Sequence, residues 1–188
     1  MSATTPTDAD TVIATTRDWL EKAVIGLNLC PFAKAVHTKG QVRYVVSAAV
    51  EPEALLQELQ RELQHLAEVD PEQTDTTLLI HPQVLHDFLD FNDFLASADA
   101  LLAEMGLEGE LQVASFHPQF QFAGTEPDDI SNYTNRSPYP TLHLLREASL
   151  DRAVEAFPDA ESIYERNIET LERLGHEGWD ALFPPPHR

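Results

Sequence analysis

Two apolar segments of this chain end in the same pair of residues. Thr76–Pro82 reads TTLLIHP and Ser115–Pro118 reads SFHP, so His81 and His117 each stand just before a proline. If both segments are parallel strands, both imidazoles lie at the carboxyl ends of a sheet, the edge where open α/β sheets bind ligands. A third histidine, His143, stands on the next apolar run, TLHLLRE. Three chemistries are open to this set. The rings could form a metal site with one position left for water. One ring could act as general base or acid while an arginine holds an anionic substrate. Or the rings could bond to the main chain and do no chemistry. No His-x-x-x-His spacing supports a metal site, so no residue is assigned to a metal.

The stretch between His117 and His143 is long, polar and rich in aromatic and proline residues. Loops of that length inside a compact unit are uncommon and are usually functional or disordered, and the Phe and Tyr content argues against disorder. Its NYTNRSPYP segment offers Asn135 and Arg136, side chains suited to carboxylate, phosphate or amide groups. Pro138 and Pro140 restrict the backbone around them. Phe116, Phe120, Phe122, Tyr133 and Tyr139 could wall an apolar pocket, or simply pin the loop while Arg136 pairs with Asp128 or Asp129. Arg146, beyond the loop, is a second candidate for an anion, or a partner for Glu147.

One more group could be reactive. Cys30 precedes Pro31 and could cap a short helix over 31–36, where the helix dipole would lower its pKa. Its neighbours Leu27, Leu29 and Phe32 favour a small buried hydrophobe instead. The candidate catalytic groups are therefore His117, His143 and Cys30, and the candidate substrate-binding groups are Asn135, Arg136, Arg146 and His81. No motif identifies a cofactor.

The elements that must position these residues can be read from periodicity. A helical stripe runs from Val12 to Ile25 and stops at Gly26. Strands are expected over 42–50, 76–81 and 110–117, with helices over 52–69 and 84–105 between them. Helical crossovers favour parallel neighbours. A fourth strand over 141–147 follows the loop, antiparallel at an edge or inserted, with a short helix as the alternative. Ser149 should cap a helix from Leu150, broken by Pro158. Asp159 should cap another, reaching about Leu174, before a short final helix through Phe183. Asp87, Asp90 and Asp93 share one rough helical face, which reads as solvated rather than metal-binding. The fold expected is α/β (or α+β): a small mixed, mostly parallel sheet of about four strands with helices packed on it. Residues 9–183 form one domain, residues 1–8 a disordered tail and 184–188 a C-terminal tail.

Composition limits the partners. The 188 residues carry 32 acidic and 12 basic side chains, a formal net charge of −20. Such a chain repels nucleic-acid and anionic-membrane phosphates at long range. With one cysteine it forms no internal disulfide, and no apolar run reaches the roughly 20 residues of a membrane span. A cytoplasmic location is the simplest expectation.

Four segments, WLEKAVIGLNLCPFAKAV (Trp19–Val36), TTLLIHP (Thr76–Pro82), QVASFHPQFQF (Gln112–Phe122) and NRSPYPTLHLLREAS (Asn135–Ser149), carry a resemblance. Together they resemble an uncharacterised bacterial family, domain of unknown function 1415, over nearly the whole chain after residue 9. The resemblance implies a small bacterial protein and assigns no activity, cofactor or site residue. Two functions stay open: an enzyme acting on a small polar or anionic molecule, or a binding or protein-interaction domain that docks through the 118–140 loop.

Overall fold

The computed structural model describes residues 8–157 and 159–184. The expected tails therefore fall almost wholly outside the described residues, as does the helix break at Pro158. Four strands, β1 (Val42–Val46), β2 (Thr76–Ile80), β3 (Leu111–Phe116) and β4 (Thr141–Arg146), form one sheet in the order β1-β2-β4-β3. β1 and β2 pair in parallel, and β4 pairs antiparallel with both β2 and β3. Three strands thus point one way. β4 runs back between β2 and β3, so one pairing is parallel and two are antiparallel. Of the two placements open to the fourth strand, the sheet takes the inserted one.

Helices cover both faces. α3 (Pro52–Glu68) starts on a proline and puts Leu55, Leu59, Leu63 and Leu66 on one stripe, all fully buried. α4 (Phe88–Glu104) is capped by Asp87, whose carboxylate accepts from the Leu89 and Asp90 amides at 2.9 and 3.1 Å. Asp87 thus serves the helix start. Phe91, Phe94, Ala98, Leu101 and Leu102 of α4 pack with the α3 leucines against Leu79, Leu111, Leu142 and Leu144 of the sheet. Residues one step away in register face the other side. There Leu78 and Ile80 meet Val12 of α1 (Ala9–Trp19). On the same side Tyr44 and Phe116 meet a cluster formed by Trp19, Leu20, Val24, Leu171 and Trp179. Leu171 and Trp179 belong to α6 (Ile163–Leu182), where the left-handed Gly175 (φ 68°) makes a kink. The sequence places a helix end at this glycine, and the chain resumes helix beyond it.

Three local expectations differ from the structure. The first helix passes at Leu20 into a π-helical turn that extends to Ile25. Beyond Pro31, α2 (Ala33–Thr38) begins two residues later than the sequence suggests, with Phe32 rather than Cys30 at the cap position. α5 (Glu147–Ala156) starts directly from the end of β4, so Ser149 lies inside it. The Ser149 hydroxyl donates to Asp75 at 2.6 Å and is spent there instead of on a helix start.

The π turn sets the position of Trp19 and of the chain that follows. Its last bond runs from the Gly26 amide to the Glu21 carbonyl at 2.9 Å. A Cβ at residue 26 would overlap the Lys22 carbonyl oxygen, a main-chain atom that has no freedom to move aside. We therefore expect Gly26→Ala to destabilise the protein by about 1–3 kcal/mol, the range for overpacking a well-packed site. Urea denaturation measures it, and an unchanged midpoint would show that the turn can relax to α-helix at no cost.

Candidate functional site

Residues Ile80, Thr141 and Phe116 stand side by side across the sheet. The residues that follow Ile80 and Phe116 therefore leave the sheet at the same end, and both point toward α4. His81 stacks on Phe91 with ring centroids 5.6 Å apart, and His117 packs against Phe91 at 5.0 Å and Phe88 at 5.5 Å. Phe120 closes over Phe88 at 5.2 Å. The matched His-Pro strand ends thus do come together, but the space around them is filled: His81 is 0% exposed and His117 1%.

Hydrogen bonds to a nearby turn account for the burial of both His117 nitrogens and of His81 Nδ1, while His81 Nε2 is buried without a partner among the described residues. The chain from Pro82 to His86 turns sharply, with Leu85 in the left-handed region (φ 61°), and leaves carbonyls that no strand partner can take. His81 Nδ1 donates to the Val84 carbonyl at 3.0 Å and His117 Nε2 to the Leu85 carbonyl at 3.0 Å. His86 Nε2 donates to the Pro82 carbonyl at 2.6 Å. The Gln119 amide donates to His117 Nδ1 at 3.0 Å, which fixes that ring as neutral with its proton on Nε2. Burial is the largest influence on both rings. It holds His117 below the ordinary histidine value and His81 down at about 4.

His143 lies elsewhere. Its register partners are Leu78 and Ala114, which puts it on the face away from α4. The Thr76 hydroxyl donates to the Leu144 carbonyl at 2.7 Å, so it must accept from His143 Nε2 at 2.7 Å. Burial beside Phe116 pushes this ring to about 4 as well. The three histidines do not converge. Among the described residues no group of three or more His, Cys, Asp or Glu side chains is placed to hold a metal ion.

The other candidates are also spread out. Arg146 pairs in register with Leu111, at the end of the sheet away from His81 and His117. Its guanidinium donates to the Val69 and Thr74 carbonyls at 3.1 and 2.8 Å, tying the exit of α3 to the entry of β2. Cys30 lies against the Trp19–Leu171 cluster, and burial raises its pKa. The thiol therefore lacks the lowered pKa that a reactive thiolate needs. Asn135 donates through Nδ2 to the Ser115 carbonyl at 3.1 Å, and its own carbonyl accepts from the His117 amide at 3.1 Å.

Arg136 is the exception. A 3₁₀ turn over Ile130–Asn135 presents it, and this turn is organised by Asn132, which is 0% exposed. Asn132 Oδ1 accepts from the Phe122 amide at 2.9 Å and Nδ2 donates to the Glu126 carbonyl at 2.8 Å, while the Thr125 hydroxyl shares its one proton between Oδ1 at 2.9 Å and the Phe122 carbonyl at 2.7 Å. The guanidinium of Arg136 then lies over the Tyr133 ring, 4.5 Å from its centroid. It donates through Nε to the Phe120 carbonyl at 3.1 Å and through Nη2 to the Pro127 carbonyl at 2.5 Å. The ion pairs formed among the described residues leave Arg136 out, so the pairing with Asp128 or Asp129 weighed from the sequence is not formed. Arg136 lines an open groove of about 780 Å³ between the α1 end, this loop and the α6 end. Trp19, Tyr133, Trp179 and Phe183 form the aromatic wall, and Asp18 stands at the rim in an ion pair with Lys22 at 3.0 Å. Sequence reasoning found Arg136 but missed the groove. Trp19 sits on a helical core stripe, and Trp179 reads as packing in a final short helix; nothing in the spacing shows that they meet.

The family model described as "Protein of unknown function (DUF1415)" matches residues 11–181, and the chain belongs to that family. Nothing matches it among curated proteins or among solved structures. No helix among the described residues is long and apolar enough to cross a membrane.

The buried neutral rings give the fold a pH dependence with a definite sign. Above about pH 6.5 the histidines are uncharged in both the folded and unfolded chains, and stability is full. As pH falls through 6.5 the unfolded chain takes up protons that His81, His117 and His143 refuse in the fold, so stability is lost, and for His81 and His143 the loss continues down to pH about 4. We expect a loss on the order of 2 kcal/mol between pH 7 and pH 5 for each of His81 and His143. Urea titrations at the two pH values measure it. The drop should shrink in His143→Gln; an equal drop there would mean that His143 is not a buried neutral group.

Proposed function

We propose that this member of the family binds a small anionic molecule in the groove beside Arg136, and that the buried histidines support the site without touching the ligand. The observation that carries the reading is the state of the Arg136 guanidinium. Two main-chain carbonyls and the Tyr133 ring fix its position, no carboxylate among the described residues neutralises it, and it borders open space. Two bonds to carbonyls use two of its five N–H donors and leave the others for a ligand. In a chain of net charge −20, a fixed cation at a groove is the place where an anion finds local attraction. The groove is the size of ordinary small-molecule sites and its wall is aromatic, as such sites usually are.

Catalysis through His117 or Cys30 has less support. His117 already uses both ring nitrogens on the main chain, and the Cys30 thiol is held protonated by burial. A non-catalytic binding protein is therefore the reading adopted, with Arg136 as its anion receptor. Docking of a protein through the 118–140 loop is the second reading, and the same groove would be its centre.

Arg136→Gln separates a receptor from a mere loop anchor. The variant keeps a donor for the loop carbonyls but loses the charge. We expect it to fold, with stability lowered by about 1–3 kcal/mol through the weakened carbonyl bonds. Binding of phenylacetate and of phenyl phosphate, followed by quenching of tryptophan emission, should fall at least about tenfold. Unchanged binding of both anions by the variant would remove Arg136 from the site.

A further inference from the structure

We infer that the groove takes an aromatic monocarboxylate, with its charge on Arg136 and an oxygen of the same ligand accepting the indole N–H of Trp19. This deepens the anion-binding reading and rests on it. Its first support is a donor that the protein leaves unused. Trp19 is 2% exposed, it lines the groove, and its Nε1–H is buried with no acceptor among the described residues. Buried indole N–H groups usually have a partner, because an unmet donor forfeits its bond to water. A ligand oxygen would supply one once a small shift of the ring opens the covered N–H to the groove.

The charge balance of the groove fixes the second feature. Among the described residues Arg136 is its unneutralised cation, and the Asp18 carboxylate is already paired with Lys22 at 3.0 Å. One positive charge is thus left to match, which suits a singly charged carboxylate. A phosphomonoester carries nearly two charges, and phosphate sites usually add glycine-rich loops or helix N-termini. Among the described residues no glycine lines this groove, and its α1 residues, Ala14 to Trp19, come from the second half of that helix. The planar guanidinium also matches a carboxylate in two-point geometry.

The wall fixes the third feature. Trp179 meets Tyr133 edge to face at 5.2 Å and Phe183 at 5.6 Å. An aromatic wall offers stacked and edge-to-face contacts that an aromatic body can use and a polyamine cannot. The chain has two tryptophans, and both line this one groove. Binding there therefore reports directly on the tryptophan signals.

The test uses the full chain and three related probes: phenylacetate, its neutral analogue phenylacetamide, and phenyl phosphate. Calorimetric titration gives the affinities, and ¹H–¹⁵N spectra follow the two indole N–H resonances, assigned with Trp179→Phe. Phenylacetate should bind at least about tenfold more tightly than phenylacetamide and more tightly than phenyl phosphate, and it should move the Trp19 indole resonance. Trp19→Phe should weaken phenylacetate about tenfold; should that variant not fold, the wild-type indole shift alone decides. Tighter, Arg136-dependent binding of phenyl phosphate would overturn the carboxylate and leave the anion site standing. Phenylacetate binding with the Trp19 resonance unmoved would overturn the role of the indole. No binding of either anion would overturn both this inference and the reading beneath it.

Discussion

The loop from His117 to Pro140 has to carry the chain from the end of β3 back into the sheet between β2 and β3. It crosses that distance without a strand or long helix to absorb its amides and carbonyls, and a buried main-chain group without a partner is costly. One fully buried side chain, Asn132, meets part of this demand by taking the Phe122 amide and the Glu126 carbonyl at once. The 3₁₀ turn that contains it then delivers Asn135 to the β3 edge and Arg136 to the groove. β4 can begin at Thr141 in register with Ile80 and Phe116 because the preceding loop ends in a fixed place. The same loop thus leads into β4 and carries the charged group to the groove.

The same demand accounts for the histidines. An imidazole can donate from one nitrogen and accept at the other, which makes it a compact filler for a turn that leaves carbonyls and amides unpaired. His117 does both, and His81 donates to a carbonyl of the same 82–86 turn. Burying these rings lowers their pKa, so near neutral pH they add no charge to the apolar layer formed by Phe88 and Phe91. Low pKa values often mark catalytic groups. Here a complete set of structural bonds accounts for His117, and filled surroundings account for His81.

Much of the fold could be read from the chain because its signals are local. Leu55, Leu59, Leu63 and Leu66 spell out a helix with one buried face, and TTLLI spells out a strand buried on both. The even alternation of strand and helix gives three strands of one direction. The insertion of β4 was harder to read, since it depends on how a long loop closes. For Cys30 the apolar neighbours were the better guide, since the helix starts two residues further on and the thiol packs against the core. For the site, the sequence singled out His81 and His117 by a repeated His-Pro ending and Arg136 by its loop. It could not separate a histidine that saturates a turn from one that faces a ligand, since both occur at a strand end. Nor could it bring Trp19 and Trp179 together, because their meeting depends on the packing of α6 against a loop distant in sequence.

The central claim is that the ligand meets the Arg136 groove and leaves the histidine layer untouched. Mapping backbone amide shifts over the whole chain while phenylacetate is titrated tests it most directly. The account expects the largest changes at Tyr133, Arg136 and Ser137, with Trp19 and Trp179 close behind and His81, His117 and His143 nearly still. Changes centred on His81 and His117, with the groove silent, would contradict it and return the histidines to the active role that their place at the strand ends first suggested.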